Sequence, residues 1–295
     1  MSTPSQPVIV VVGSLHYDIM VDAPDRPRKG ETVAGHAWRP KFGGKGGNQA
    51  IAAARAGARV RMAGAVGDDE FGRFLLERLA AGSVDRDHVT TLPGTGSGMS
   101  VAISDAGGDY GAVIVSGANL SIDPQAVADA GLWRDARALI LQNEVPEAVN
   151  VSAARAAKAT GAIVCLNAAP VRTMPSELAS LVDVLVVNAV EAEDMCGIAV
   201  DDLPSALAAA RRLSSGFGTV VVTAGGAGVA GLQRGAEPSA LPALPVSLVS
   251  THGAGDVFVG ALAASMVRNG DAPLLVHLQA ANMAAAEHVS SPRER

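Results

Sequence analysis

Val8–Val12 is an unbroken apolar run closed by Gly13-Ser14, the pattern of a short strand covered on both faces. Asn48–Gly57 (NQAIAAARAG) is alanine-rich and ends on glycine, which predicts a helix with its C-terminal stop. Val60–Ala65 predicts a second strand and Asp69–Ala81 a second helix. Met99–Ile103 and Gly111–Val115 flank Asp105-Ala-Gly-Gly-Asp109, a hairpin turn sequence. Further along the alternation becomes regular. Ala138–Gln142 predicts a strand, Glu147–Thr160 a helix and Ala162–Leu166 a strand, followed by a turn through Pro170 and Pro175. Val182–Val187 predicts a strand, Ala189–Cys196 and Leu203–Ser214 helices, and Thr219–Thr223 a strand before a glycine cluster. Leu244–Val249 has the pattern of a strand and Val257–Val267 that of a helix. This rhythm implies a mostly parallel sheet with helices on both faces. The segments near 15–42 and 98–118 break it. They read as alternating strands and predict a small separate sheet, within a single α/β domain over residues 1–295.

Composition narrows the class. With 295 residues and 48% hydrophobic positions the chain can bury one large core. Aromatics make up only 3%, so that core is built from Ala, Val and Leu. The net charge of −6, without a basic block, disfavours nucleic acid as a partner. Small anions remain compatible, because a local field can oppose the net charge. Cys165 and Cys196 form no CxxC pattern and read as buried free thiols in a reducing compartment. No segment reaches the roughly 18 apolar residues of a membrane span, and no basic n-region precedes the first apolar run. The expectation is a cytoplasmic protein without a membrane partner.

Candidate chemistry gathers where predicted strands end. Ser250-Thr251-His252-Gly253-Ala254-Gly255-Asp256 precedes a helix. A helix start behind small residues leaves backbone N–H groups aimed at one point, where a phosphate binds. A carboxylate there repels phosphate, so Asp256 reads as the group that takes a proton from an attacking hydroxyl. Phe42-Gly43-Gly44-Lys45-Gly46-Gly47-Asn48-Gln49-Ala50 is a glycine-rich turn opening a helix. It matches neither GxxxxGK[ST] nor GxGxxG, and it reads either as a structural turn or as backbone packed against a polar ligand. Asp18 follows the first strand, where a carboxylate either caps a turn or holds sugar hydroxyls. Glu144 ends another strand on the same rim. Asn188 and Glu191 have the spacing of a capping box, or else Asn188 faces a phosphate and Glu191 orders water around Mg²⁺. Thr223-Ala224-Gly225-Gly226-Ala227-Gly228 would let a nucleotide lie against backbone. His252 has no second His or Cys at ligand spacing, so zinc chemistry is disfavoured.

Together these residues resemble the ribokinase (PfkB) family of carbohydrate and nucleoside kinases, from Gly13 to about Val289. The GAGD box at Gly253–Asp256 and the GGKGxNQA wording around Gly43–Ala50 carry the resemblance, with Asn167–Arg172 in support. It implies a three-layer α/β/α fold with a mostly parallel sheet and a β lid near 15–42 and 98–118. It also implies a primary hydroxyl of a pentose as acceptor, D-ribose above all, and ATP with Mg²⁺ as donor. The roles it implies are Asp256 as base and Gly253, Ala254 and Gly255 as the anion hole. His16, Asp18, Gly43, Gly44, Lys45, Asn48 and Glu144 would line the sugar pocket. Asn188, Thr223–Gly228 (Thr223, Ala224, Gly225, Gly226, Ala227, Gly228) and Asn282 would contact ATP, with Glu191 near Mg²⁺. A homodimer through the lid is a further expectation. The helix start at this segment should lower the pKa of Asp256.

The alternatives are a nucleoside kinase of the same family and a catalytically silent sugar-binding or regulatory protein. Two positions depart from the family's type member. His16 stands where it has asparagine, which bears on sugar selectivity. Ser250 stands where it has an aspartate that helps bind an activating monovalent cation. Potassium activation should therefore be weak or absent. Turnover measured in matched Na⁺ and K⁺ buffers should differ little, and a strong rise in K⁺ refutes the expectation.

Overall fold

The computed structural model describes residues 7–105 and 110–291. In chain order the elements are β1 (Val8–Val12), β2 (His16–Asp22), β3 (Ala37–Gly43), α1 (Lys45–Arg55), β4 (Arg59–Gly67), α2 (Glu70–Ala81) and β5 (Val84–Leu92). The lid strands β6 (Met99–Ser104) and β7 (Tyr110–Val115) lead to β8 (Ala136–Gln142), α3 (Glu147–Thr160), β9 (Ile163–Asn167), α4 (Ser176–Leu181), β10 (Val184–Asn188) and α5 (Ala189–Cys196). The chain then forms α6 (Leu203–Leu213), β11 (Thr219–Thr223), β12 (Val229–Gln233), β13 (Ser239–Leu241), α7 (Ala254–Arg268) and α8 (Leu274–Ser290).

Nine strands form the central sheet in the order β13-β12-β11-β10-β9-β8-β1-β4-β5. Every pair is parallel except β11/β12 and β12/β13. Side chains alternate across it. Val8, Val10 and Val12 share one core with α3, α4, α5 and α6 through Val149, Leu178, Ala192 and Ala206. Ile9 and Val11 share the other with α1, α2, α7 and α8 through Ala50, Leu75, Phe258 and Leu278. This is the three-layer α/β/α arrangement expected. The second sheet, in the order β3-β2-β6-β7, is the expected lid. The hairpin turn predicted at 105–109 falls mostly outside the described residues.

Helix ends follow local chemistry. Asp69 caps α2 by accepting from the Gly72 N–H at 2.7 Å. Asp202 and Ser205 form a reciprocal capping box at α6, and α3 stops at Gly161 with φ 76°. In contrast, α1 begins at Lys45 and not at Asn48, so Gly46 and Gly47 lie in its first turn. A Cβ on Gly46 would stand 2.7 Å from the Gly13 carbonyl carbon, and one on Gly47 would stand 2.6 Å from the Phe42 ring. These glycines therefore let the helix start press against the end of β1. Likewise α7 begins at Ala254, earlier than its apolar run suggests.

The strand expected at Leu244–Val249 does not form. Among the described residues the sheet ends at β13, and Leu244, Val246, Leu248 and Val249 are exposed. The segment is instead tied to α8, since the Val249 and Ser250 N–H groups both donate to the Val289 carbonyl. Cys165 is buried and Cys196 partly buried, both as free thiols. Among the described residues no helix is long and apolar enough to cross a membrane.

Candidate active site

The chain leaves β1 in one direction toward β4 and β5 and returns through β8 toward β11, so the strand order reverses between β1 and β8. Ligands of such sheets bind at this reversal, beyond the carboxyl ends of the strands. Ser14 follows β1 and Glu144 follows β8, and they meet there: Ser14 Oγ donates to Glu144 Oε2 at 2.5 Å. The same oxygen accepts the Lys45 N–H at 2.9 Å. Glu144 thus occupies the positive start of α1. Gly44 caps that start with φ 86°, and a Cβ there would stand 2.7 Å from the Ser14 carbonyl oxygen.

The start of α7 differs. Gly253 caps it with φ 83° and supplies no side-chain acceptor. The Ala254 N–H donates to the Thr251 carbonyl. Among the described residues the Gly255 and Asp256 N–H groups meet no acceptor, and a Cβ on Gly255 would face open space. These two groups, more than Ala254, can receive an anion.

Asp256 stands in the first turn of α7, facing α1. Gln49 Nε2 donates to its Oδ1 at 2.9 Å, and Asn48 Nδ2 to its Oδ2 at 3.3 Å. The carboxyl does not have the depressed pKa expected from the helix start. Burial pushes it up to about 6, against the Lys45 ammonium and the Gln49 and Asn48 amides, with Glu144 adding to the rise. A helix terminus contributes about 0.3–1 kcal/mol, whereas removing a carboxylate from water costs several, so desolvation wins. Asp256 is consequently a stronger base than the sequence suggested.

The lid supplies the other half of the cleft. Asp18 is buried, and its Oδ1 accepts from Ser100 Oγ on the neighbouring strand at 2.5 Å. Burial raises its pKa, opposed by Ser100 and by the charges of His16 and Lys41. Gly43 is required opposite: a Cβ there would stand 2.0 Å from Asp18 Oδ2. His16 lies two residues before Asp18 on the same face of β2 and is 4% exposed. Its Nε2 is buried and has no hydrogen-bond partner, an arrangement that costs free energy unless a ligand completes it. Tyr17 faces the other way and stacks on Phe71 of α2 at 4.1 Å.

Two strands along the same rim, Asn188 and Glu191 form the capping box of α5. Glu191 Oε2 accepts the Asn188 N–H at 2.8 Å and Oε1 accepts its side-chain amide at 2.9 Å. Burial raises the Glu191 pKa, opposed by that N–H and by Lys45. The Lys45 charge therefore reaches both Asp256 and Glu191. Thr223 ends β11 directly beside Asn188. Gly225 and Gly226 face open space, while Gly228 is structural, since a Cβ there would stand 2.1 Å from the Leu241 carbonyl oxygen. Asn282 on α8 donates to the Pro242 carbonyl at 2.9 Å and so holds the loop after β13. Ser250 Oγ accepts the His252 N–H at 3.3 Å.

Asp256, Asn48, Lys45 and Glu144 are thus brought together, and His16, Asp18 and Gly43 share one lid face. Asn188, Glu191 and Thr223–Gly228 line up farther along the rim and make no hydrogen bond to the Asp256 cluster. Sequence reasoning missed Ser14, Ser100, Gln49, Gln142 and Asn167 as parts of the site. Gln49 carried the clearest signal, an amide within an alanine-rich helix face.

An open helix start beside a half-buried carboxylate, facing a polar lid, has the components a small-molecule kinase requires. The chain belongs to the pfkB family of carbohydrate kinases, whose model matches residues 6–294. It is an ATP-dependent carbohydrate kinase that works with Mg²⁺. It is 34% identical to the ribokinase of Bacillus subtilis over 284 residues, covering 96% of this chain and 93% of that one. It is 34% identical to the deoxyribokinase of Salmonella typhi over 266 residues, covering 89% and 87%. The structure of Arabidopsis thaliana ribokinase complexed with ribose and ATP superposes with a TM-score of 0.88 at 29% identity, over 97% of this chain and 93% of that one.

The raised pKa of Asp256 has a consequence for stability. Its folded value of about 6 lies above the ordinary 3.8, so the folded chain prefers the protonated form. The associated stability is complete below 3.8 and lost as the pH rises through about 6. At neutral pH the ionised group costs on the order of 2–3 kcal/mol. Asp256→Asn should therefore melt about 5 °C above the parent at pH 8 and nearly level with it at pH 4. Calorimetry at the two pH values checks this, and an equal or lower melting temperature at pH 8 contradicts it.

Proposed function

We propose that the chain transfers the γ-phosphate of ATP to a primary hydroxyl of a pentose, with D-ribose the leading substrate and ribose 5-phosphate the product. One observation carries the reading: Asp256, its pKa pushed up to about 6 by burial, sits beside two N–H groups that meet no acceptor among the described residues at the start of α7. The hydroxyl proton passes to the Asp256 carboxylate while its oxygen bonds to the γ-phosphorus and the bond to the ADP oxygen breaks. The Gly255 and Asp256 N–H groups, within the anion hole of Gly253, Ala254 and Gly255, balance the charge on the transferring group. Asp18, Gly43, Asn48 and His16 orient the sugar. The orphaned His16 Nε2 is suited to bond one of its hydroxyls.

Both Glu191 oxygens are already engaged by Asn188, and no group of three metal-binding side chains occurs among the described residues. The residues fit a Mg²⁺ that would be held mainly by phosphates and water, with Glu191 the carboxylate that would face its waters. Bound there, Mg²⁺ would supply neutralisation of phosphate charge. Lys45 supplies the site's own positive charge. Asn188, Thr223–Gly228 and Asn282 form the nucleotide side.

The relatives named deoxyribokinase support a second sugar, 2-deoxyribose. An ADP-release screen over pentoses, 2-deoxyribose, hexoses and nucleosides separates these sugars from a nucleoside kinase and from a silent binding protein. Asp256→Asn should lower kcat by about 10²–10⁴-fold with nucleotide binding intact, and near-normal turnover sinks the reading. We also propose a homodimer through the lid, supported by Val113, Ile114 and Val115, all exposed on edge strand β7. Light scattering should give twice the chain mass for the parent, and the monomer mass would refute it.

A further inference from the structure

Gln49 is fully buried on α1 and lies at the centre of a chain of side-chain amides. Its Nε2 donates to Asp256 Oδ1 at 2.9 Å and to Asn167 Oδ1 at 3.1 Å, which uses both amide hydrogens. Its Oε1 accepts from Gln142 Nε2 at 2.8 Å. The direction of this chain is not arbitrary. Asn167 Nδ2 donates to the Val186 carbonyl, and a backbone carbonyl can only accept. Asn167 must therefore turn its oxygen toward Gln49, and Gln49 must turn its NH₂ toward both Asn167 and Asp256. A flipped Gln49 would set its oxygen against two acceptors and its NH₂ against the NH₂ of Gln142. Backbone geometry at β10 thus fixes a donor against Asp256 Oδ1.

We propose that Gln49 is a positioning residue that reserves Asp256 Oδ1 as an acceptor and leaves Oδ2 as the oxygen that takes the substrate proton. Oδ2 is the freer oxygen: its one bond, from Asn48 Nδ2, is 3.3 Å long and is easily exchanged for a substrate hydroxyl. A proton on Oδ1 would face the Gln49 NH₂ with no acceptor, so the protonated carboxyl carries its proton on the side of the cleft. The Gln49 bond also favours the ionised form against burial. The charged groups acting on Asp256 are Lys45 from α1, which favours ionisation, and Glu144 from the loop after β8, which opposes it. The proposal rests on Asp256 being the base.

The test uses Gln49→Met, Gln142→Met and Asp256→Asn with the full chain. The pH profile of kcat is measured in each folded variant, and the ¹³C titration of the Asp256 carboxyl is followed by NMR in the parent and in the two methionine variants. Loss of the Gln49 donor should move the Asp256 titration and the acid limb of kcat upward by about one pH unit. Turnover should then fall roughly tenfold at pH 5.5 and recover at pH 8.5, with the nucleotide KM unchanged. Gln142→Met keeps the donor but frees its orientation, and should give a smaller shift in the same direction. A loss of turnover that is equal at all pH values, or an unmoved Asp256 titration, overturns the proposal. If Gln49→Met does not fold, an unmoved titration in Gln142→Met overturns it and an upward one supports it. If Asp256→Asn keeps its turnover, the base reading fails, and the carboxyl titration still reports whether Gln49 governs Asp256.

Discussion

The site depends on how closely α1 and α7 approach. A Cβ on Gly260 of α7 would stand 2.7 Å from the Ala52 Cβ, the Ala53 nitrogen and the Gln49 carbonyl oxygen of α1. Only hydrogen fits between the two helices. Ala50, Ala52 and Ala53 answer it from the other side, all buried. A larger residue at this contact would push the helices apart or strain their backbones. The approach sets Asn48 and Gln49, one turn into α1, against Asp256 in the first turn of α7. The scarcity of aromatics and the abundance of alanine and glycine are thus the condition under which two helix starts share one cleft.

That closeness has an energetic cost that the surrounding polar groups only partly offset. Asp256 is half-buried, and the donors around it do not return its pKa to the ordinary range. Behind it, Gln142 Oε1 and Asn150 Oδ1 are buried without partners, although Asn150 Nδ2 donates to the Gln142 carbonyl at 2.8 Å. Across the cleft His16 Nε2 is also unpaired. A core made only for stability would replace these groups with apolar ones. Their concentration along one line, from α3 through β8 and α1 to α7, marks where stability is given up for a carboxylate poised near neutral pH.

Much of this architecture was legible along the chain, for reasons that also explain the misses. β1, α5 and β11 were readable to the residue because apolar runs there meet glycine, asparagine or threonine at sharp boundaries. The lid was visible as a break in rhythm. β12 and β13 were not, because VAGLQ and SAL are too short to show a period. α8 has apolar residues on several faces and starts after Pro273 without a side-chain cap, so neither periodicity nor capping announced it. Leu244–Val249 failed in the opposite sense: its pattern suited a strand, but the end of the segment is tied to α8 instead. In the site the carboxylates were legible because charges near strand ends are conspicuous. The amides Gln49, Gln142 and Asn167 were not, since their roles depend on contacts between residues about 100 positions apart. The pKa of Asp256 was misjudged because a helix start is visible in sequence and desolvation is not.

Two helix N-termini open on this cleft, and the structure treats them differently. At α1 the Lys45 N–H and the Ser14 hydroxyl converge on Glu144, so a built-in carboxylate neutralises that terminus. At α7 the cap is a bare glycine, and the Gly255 and Asp256 N–H groups meet no acceptor among the described residues. Were both termini open, a phosphate would find two sites of similar field within one cleft, only one of them beside the base. Glu144 removes that ambiguity. It also sets a negative charge near Asp256, which adds to the rise of its pKa. The Lys45 charge favours the ionised forms of both Asp256 and Glu191. On the proposed reading of the site, a single carboxylate after β8 thus leaves one helix start to an anion and adds to the rise of the Asp256 pKa.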